Sequence, residues 1–174
     1  MKLLYTFDSQ DYESLTKHSF RQAVRAIIER DGKLAMVFSE KEGYYKFPGG
    51  GIEENESHAQ ALLRETAEET GLQIVPASLR AFGKIREIRK STLFADEVFE
   101  HISYYYFAET AGEASRQRLE PYEEELGYRL AFVDIGEAYE ANLEKSGRYT
   151  SSFILREAKV LELLLRERSG NKET

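Results

Sequence analysis

The chain has 174 residues, with 24 Lys and Arg against 31 Asp and Glu, three His and no Cys, and its formal net charge is −7. This length predicts one domain of ordinary size. The lack of Cys excludes disulfide scaffolds and zinc sites that use Cys, and the acidic balance argues against general affinity for nucleic acid. There is no apolar run of membrane-spanning length and no signal-peptide pattern, so we expect a cytoplasmic globule.

The N-terminal part of the chain predicts a β-hairpin. Residues 1–19 are mixed in character and suggest a short strand and a turn. The periodicity of residues 21–28 fits either a helix or a strand, and the turn pair Asp31-Gly32 decides between them. Because this pair favours a two-residue hairpin turn and the apolar run 34–38 follows it, we interpret both runs as strands.

A glycine-rich loop and a capped helix follow the hairpin. Residues 46–51 contain one Pro and three Gly, which predicts a loop. Ser57 and Gln60 form a capping-box pattern, so a helix should begin there. Gly71 should end it, because glycine readily adopts the left-handed conformation found after helix C-termini.

The second half of the chain predicts strands and a terminal helix. Strands are expected at 79–88, 101–108 and 128–134. Residues 112–126 form a polar stretch, a short helix is expected from Asp134, and residues 151–168 have the broad apolar face of a helix that packs in the core or forms a homodimer contact. Strands and helices alternate without a regular βαβ rhythm, which favours an α/β fold with a mixed β-sheet sandwiched between helices.

Three acidic residues of the predicted helix occupy one of its faces. Glu65, Glu68 and Glu69 stand at positions i, i+3 and i+4, where neighbouring Cβ atoms lie about 5–6 Å apart. Like charges at this spacing repel, and a hard divalent cation that accepts oxygen ligands would compensate them. The glycine loop before the helix lets backbone N–H groups approach phosphate oxygens. A solvated acidic helix face is the alternative interpretation of the three glutamates alone.

A longer spacing pattern contains these glutamates. Gly, five residues, Glu, seven residues, Arg-Glu, two residues, Glu-Glu, one residue and Gly are matched by Gly50, Glu56, Arg64, Glu65, Glu68, Glu69 and Gly71. The number of such matches expected by chance in a chain of this composition is roughly 3 × 10⁻⁵. The pattern resembles the Nudix box of the Nudix hydrolases. The resemblance implies a single Nudix domain over residues 1–174, with its core at about 20–140 and its box at 50–72.

The resemblance to this family also implies roles for individual residues. Glu68 and Glu69 would ligate Mg²⁺ or Mn²⁺, and Glu65 would act as a further ligand or as the general base. The carbonyl of Gly49 would be another metal ligand. Arg64 and Glu56 would form an internal ion pair that orients the glutamates.

The activity implied by the resemblance is hydrolysis of a pyrophosphate bond in a small nucleoside diphosphate derivative. The substrate would be a nucleoside triphosphate, an oxidised nucleotide or a nucleotide sugar such as ADP-ribose, attacked at phosphorus by an activated water molecule. Family members often supply another carboxylate from a loop before a late strand. Residues 120–125 occupy that place, and Glu124 and Glu125 are the first choices against a solvated acidic loop.

Substrate contacts are expected from the loop residues Gly49, Gly50 and Gly51. Arg86 belongs to a short basic stretch that either steers an anionic substrate or protects a strand edge. Tyr45 flanks the glycine loop and either stacks on a nucleobase or packs in the core. Two further functions remain open, a Nudix-fold nucleotide sensor without turnover and a pyrophosphohydrolase of RNA 5′ ends; the net charge weighs against the latter.

Overall fold

A computed structural model describes residues 1–146 and 152–170 of the chain. The strands are β1 (Leu3–Asp8), β2 (Lys17–Arg30), β3 (Lys33–Ser39), β4 (Tyr45–Lys46), β5 (Gln73–Ile74), β6 (Arg80–Lys90), β7 (Glu97–Ala108), β8 (Thr110–Ala111) and β9 (Tyr128–Val133). The helices are α1 (His58–Thr70), α2 (Pro121–Glu125), α3 (Ile135–Ser146) and α4 (Ser152–Gly170), and a 3₁₀ turn lies at Pro76–Ser78. In these two segments no helix combines the length and apolarity needed to cross a membrane.

Within the described residues, a seven-stranded mixed sheet has the order β1-β6-β7-β2-β3-β4, and β9 pairs with β3 beside this path. The β1–β6 and β2–β7 pairs are parallel, whereas the β6–β7, β2–β3, β3–β4 and β3–β9 pairs are antiparallel. The long strand β2 pairs with β7 over most of its length and meets β3 only next to the hairpin turn. It therefore joins the two halves of the sheet.

The predicted hairpin is confirmed. Strands β2 and β3 are antiparallel, with Arg30 opposite Lys33. Between them, Asp31 and Gly32 have φ angles of 53° and 76°. Positive φ at both central residues is what a type I′ turn requires, and such turns match the twist of the paired strands. The turn pair thus settles the ambiguous periodicity of residues 21–28.

Helices cover both faces of the sheet, which confirms the predicted α/β sandwich. On one face, Leu62 of α1 packs in a buried cluster with Val24 and Ile28 of β2. On the other face, Leu161 of α4 belongs to a buried cluster that includes Ile27 of β2. Alternate residues of β2 point to opposite faces of the sheet, so this one strand contributes apolar side chains to both layers of the core.

Helix α1 has the ends that the sequence predicts. The Ser57 hydroxyl accepts the Gln60 backbone N–H at 3.3 Å, and the Gln60 side-chain oxygen accepts the Ser57 N–H at 2.9 Å. Gly71 ends the helix in the left-handed region with φ 74°. A Cβ atom at Gly71 would also overlap the backbone of Ser115. These fixed ends set which face of the helix turns toward the glycine loop.

The later elements agree with the expected strands and include one helix that was not expected. Strands β6, β7 and β9 are found where residues 79–88, 101–108 and 128–134 predict them. The polar stretch 112–126 contains the short helix α2, which sequence analysis did not anticipate; Pro121 occupies its first turn and Glu120 is its N-cap. The terminal helix was predicted at 151–168, and its first residue lies outside the described residues.

A buried ionic network joins α4 to the sheet and to the start of the glycine loop. Glu157, which is 1% exposed, accepts the backbone N–H of Phe47 at 2.7 Å and the hydroxyl of Tyr105 at 3.1 Å. The neighbouring Arg156 donates to Glu87 at 3.2 Å. Helix α4 therefore fixes the position of Phe47, two residues before Gly49.

Glu157→Ala is expected to lower the free energy of unfolding by about 2–6 kcal/mol, because it leaves the buried Phe47 N–H and the buried Tyr105 hydroxyl without their acceptor, at about 1–3 kcal/mol each. Glu167→Ala, on an exposed turn of the same helix, is the control and should change this free energy by no more than about 0.5 kcal/mol. Urea denaturation measures both variants. Equal midpoints for the two would contradict a structural role for Glu157.

Candidate active site

The glycine loop runs beside β2 and is fixed to it by backbone hydrogen bonds. The Val24 N–H donates to the Gly50 carbonyl at 3.0 Å, and the Ala26 N–H donates to the Pro48 carbonyl at 2.8 Å. Gly49 has φ 133°, and a Cβ atom there would overlap the Val24 carbonyl. Glycine is thus required at position 49 by both conformation and space.

The loop and α1 enclose a polar cleft of about 210 Å³. The sequence-predicted residues that it brings together are Gly49, Gly50, Gly51, Arg64, Glu65, Glu68 and Glu69. The side chain of Glu68 is 33% exposed, whereas that of Glu69 is 2% exposed. The Glu65 carboxylate lies against Gly50, where a Cβ atom would occupy the same space. Gly50 therefore leaves room for a carboxylate at the floor of the cleft.

Arg64 compensates the negative charge on this face of α1. Its Nε and Nη2 atoms donate to the two oxygens of Glu56 at 2.9 and 2.8 Å. Nη1 donates to Glu65 at 2.8 Å and to Glu68 at 3.4 Å, and Nη2 also reaches the Gly51 carbonyl at 3.2 Å. These hydrogen bonds lower the pKa of Glu56 and raise the pKa of Arg64. Arg64 thus links the loop to two glutamates of the cleft.

Glu69 is held at the inner end of the cleft by the loop itself. Its carboxylate accepts the Gly49 N–H at 2.9 Å and forms an ion pair with Lys46. Burial raises the pKa of Glu69 to about 6, opposed by the positive charges of Lys46 and Arg25. Sequence analysis named Tyr45 and missed Lys46. Successive residues of a strand point to opposite faces, and here the lysine is the one that faces the cleft.

Two expected substrate contacts lie elsewhere in the structure. The Tyr45 ring packs against Phe38, with 4.8 Å between ring centroids, and not in the cleft lining. Arg86 donates to Glu100 at 2.7 Å and is also outside that lining. The alternative interpretation of Tyr45, core packing, describes its position. Strand β6, which carries Arg86, lies between β1 and β7, so protection of a strand edge does not describe the position of Arg86.

The acidic loop before β9 approaches the cleft through a residue that sequence analysis did not choose. Glu123, 4% exposed, lines the cleft. Glu124 and Glu125 are exposed and do not line it; Glu125 pairs with Lys41 at 2.8 Å. Glu123 is the glutamate of residues 123–125 that lies at the cleft, because α2, absent from the sequence-based prediction, turns its third residue inward. The capping position of Glu123, three residues after Glu120, is the signal that could have indicated this.

The Glu123 carboxylate is oriented by its neighbours. It accepts the Tyr122 hydroxyl at 3.0 Å and the Glu120 backbone N–H at 3.0 Å. Burial beside Glu123 raises the pKa of Tyr122, and the negative charges of Glu69 and Glu65 across the cleft raise it further. The tyrosine therefore stays protonated and donates to Glu123.

The donor chemistry of the cleft suits a hard divalent cation. Four carboxylates (Glu65, Glu68, Glu69 and Glu123) and the backbone of Gly49 contribute oxygen atoms, the ligands that Mg²⁺ and Mn²⁺ prefer. Among the described residues, no three acidic or His side chains already converge as a metal cluster. Arg64 and Lys46 hold three of these carboxylates in ion pairs. A bound metal ion would take the place of these two side chains as the partner of the carboxylate oxygens.

The amino-acid sequence of the chain matches the model of one known protein family. The family model described as NUDIX domain matches residues 19–153 of the chain. The chain therefore belongs to the Nudix family, and the cleft lies at the box that gives the family its signature.

Individual relatives agree with this assignment. The chain is 45% identical over 56 residues to the CTP pyrophosphohydrolase of Escherichia coli (strain K12), covering 30% of this chain and 42% of that protein. It is 35% identical over 112 residues to the YtkD protein of Bacillus subtilis (strain 168), covering 62% and 66% of the two chains. The matches thus span less than two thirds of these relatives' own lengths.

A solved structure supports the fold. The NUDIX hydrolase from Nitrosomonas europaea superposes with a TM-score of 0.55 at 20% sequence identity, covering 79% of this chain and 85% of that one.

Gly50→Ala is expected to weaken Mn²⁺ binding by at least about tenfold, equivalent to about 1.4 kcal/mol, because the added methyl group displaces the Glu65 carboxylate. Gly51→Ala is the matched control, since a Cβ atom there has an ordinary contact at 3.5 Å with Arg21. Titration calorimetry with MnCl₂ measures both variants, and their melting temperatures monitor folding. Equal Mn²⁺ affinities for the two variants would contradict the assignment of Glu65 as a metal ligand.

Proposed function

We propose that this chain is a metal-dependent pyrophosphohydrolase that cleaves the P–O–P bridge of a small nucleoside diphosphate derivative, such as a nucleoside triphosphate, an oxidised nucleotide or a nucleotide sugar. The observation that carries this proposal is the cleft in which the glycine loop meets Glu65, Glu68 and Glu69. Family membership supports it, as does the name of one relative, CTP pyrophosphohydrolase.

Glu68, Glu69 and the Gly49 carbonyl would hold Mg²⁺ or Mn²⁺, with Glu65 as a further ligand or as the base. When bound, the cation supplies positive charge against the phosphate oxygens and lowers the pKa of a water molecule. The protein's own part is to hold the carboxylates in place. Arg64 does so through its contacts with Glu56 and Glu65, as partners of metal ligands commonly do.

Glu65 and Glu123 are the two candidates for the general base. Each is a carboxylate of the cleft held by a hydrogen-bond donor, Arg64 for the first and Tyr122 for the second. The base takes a proton from water as its oxygen bonds to phosphorus, and the bridging oxygen leaves with the electron pair of the broken P–O bond. The products are two phosphate compounds, one of which carries the nucleoside.

A panel of nucleotides tests the proposal directly. Nucleoside triphosphates, oxidised nucleotides, nucleotide sugars and an RNA 5′-triphosphate are incubated with the protein and Mg²⁺ or Mn²⁺, and mass spectrometry identifies the products. We expect cleavage of a small nucleotide and loss of activity with EDTA. Tight nucleotide binding without any product would favour a sensor, and cleavage confined to RNA would favour the RNA 5′-end function.

Glu68→Gln is expected to lower kcat at least about 100-fold, since loss of even an outer partner of a metal ligand costs about 10–100-fold. Glu68 suits this test because its side chain is partly exposed, whereas Glu69→Gln would disturb a buried ion pair and threaten folding. The control is Glu125→Gln, at an exposed position outside the cleft lining. Steady-state kinetics compare the two, and similar kcat values would argue against Glu68 as a ligand.

Glu123→Gln distinguishes the loop glutamates from one another. Gln can still cap α2 through its side-chain oxygen, but it cannot take a proton. We expect kcat to fall by about 10²–10⁴ if Glu123 is the base, while Glu124→Gln stays within about twofold of the unmodified protein. A larger effect at position 124 would restore the choice made from the sequence.

A further inference from the structure

A second cavity adjoins the carboxylate cleft on the side of the sheet that α4 covers, with a volume of about 270 Å³. We call this cavity the basic chamber. The charged residues that line it are Arg21, Arg25, Lys46, Arg89, Arg156 and Glu87. Three of these residues, Arg21, Arg25 and Lys46, also line the cleft. The two cavities are therefore neighbours that share a cationic wall.

The cations of the basic chamber outnumber its one lining carboxylate. Arg89 and Arg156 both pair with Glu87, at 2.7 and 3.2 Å, and Lys46 pairs with Glu69 on the cleft side. Among the described residues, the buried arginine nitrogens that have no hydrogen-bond acceptor are Nε of Arg156 and both Nε and Nη1 of Arg25. Arg156 still donates to Glu87 through Nη1, so Arg25 is the less compensated of the two.

Arg25 is partly buried as a residue, and buried guanidinium nitrogens without an acceptor are costly, because arginine keeps its charge in a protein and cannot escape the cost by losing a proton. The environment of His101 reports the same excess of positive charge. Burial, and after it the charges of Arg156, Arg25, Arg21 and Arg89, lower the pKa of His101 to about 2. An anion is the ligand that would balance this chamber, and the planar fork of arginine matches a phosphate group.

We propose that the basic chamber, with Arg25 as its main ligand, binds a phosphate group of the substrate beyond the two joined by the bond that is cleaved. This inference rests on the proposed function and narrows its substrate class. A nucleoside triphosphate has such a third phosphate, whereas a nucleoside diphosphate sugar has none. The chain would thus discriminate in favour of nucleoside triphosphates.

Binding of inorganic triphosphate in EDTA tests the chamber without any metal or turnover. Under these conditions the carboxylate cleft repels anions, so calorimetry reports the cationic site. We expect the unmodified protein to bind triphosphate and Arg25→Gln to weaken its affinity at least tenfold. Arg25→Lys, which keeps the charge but loses the fork, should lie between them. Arg129→Gln is the control, because Arg129 pairs with Glu40 outside the chamber.

Arg21→Gln is a second variant that keeps the test valid if a substitution at the partly buried position 25 impairs folding. Arg21 is exposed and shares both cavities, so its replacement should weaken triphosphate binding while the melting temperature stays unchanged. The proposal that the basic chamber binds phosphate would be overturned if the unmodified protein failed to bind triphosphate. Equal triphosphate affinities for Arg25→Gln and the control would also overturn it. So would tight binding of an unphosphorylated nucleoside combined with unchanged triphosphate affinity in Arg25→Gln, because the cavity would then be a nucleobase site.

A kinetic comparison separates the chamber from the proposed function. We expect Arg25→Gln to lower kcat/KM for a nucleoside triphosphate at least about tenfold more than it lowers kcat/KM for a nucleoside diphosphate sugar, mainly through KM. An equal loss on both substrates would overturn the assignment of Arg25 to the third phosphate. Absence of hydrolysis with every nucleotide would refute the proposed function, while triphosphate binding in EDTA would still decide whether the chamber is an anion site.

Discussion

Repulsion among carboxylates on one turn of α1 is the constraint around which the site is built. Glu65 and Glu68 share the guanidinium of Arg64, which Glu56 anchors from the other side. Glu69 instead meets Lys46 in a buried contact. Because each negative charge has a cationic partner, the helix tolerates a spacing that would destabilise an isolated peptide. The same partners keep the carboxylates in the cleft, where a metal ion can exchange with them.

The glycine loop has its shape because several elements hold it at once. Backbone bonds to β2 fix Pro48 and Gly50, while Glu157 on α4 accepts the N–H of Phe47. Glu69 on α1 accepts the N–H of Gly49. The loop therefore receives contacts from both helical layers and from the sheet between them. A rigid loop of this kind presents backbone atoms to a ligand without the entropy loss of ordering them on binding.

The sequence was sufficient for local features and insufficient for long-range ones. The hairpin turn at Asp31, the capping box at Ser57 and the spacing through Glu69 are local patterns whose physical causes lie within a few residues of the chain. Lys46 meets Glu69 from a distant part of the sequence, so periodicity could not single it out. Glu123 carried a local signal, its capping position three residues after Glu120, but the short helix that gives this signal its meaning was not predicted. Tyr45 shows the limit most clearly, since a two-residue strand gives no alternation by which to decide which of its residues faces the cleft.

Strand β2 explains why opposite charges come to lie side by side. Its even-numbered residues Val24, Ala26 and Ile28 pack beneath α1, so the odd-numbered Arg21 and Arg25 must point to the α4 face. The loop that carries Gly49 runs beside this part of β2, and the Cα of Arg25 would lie 3.0 Å from a Cβ atom at that glycine. The strand thus packs apolar side chains beneath α1 and provides arginines that line both the cleft and the basic chamber. A polyphosphate extending from one cavity to the other would pass from carboxylates that need a cation to arginines that need an anion.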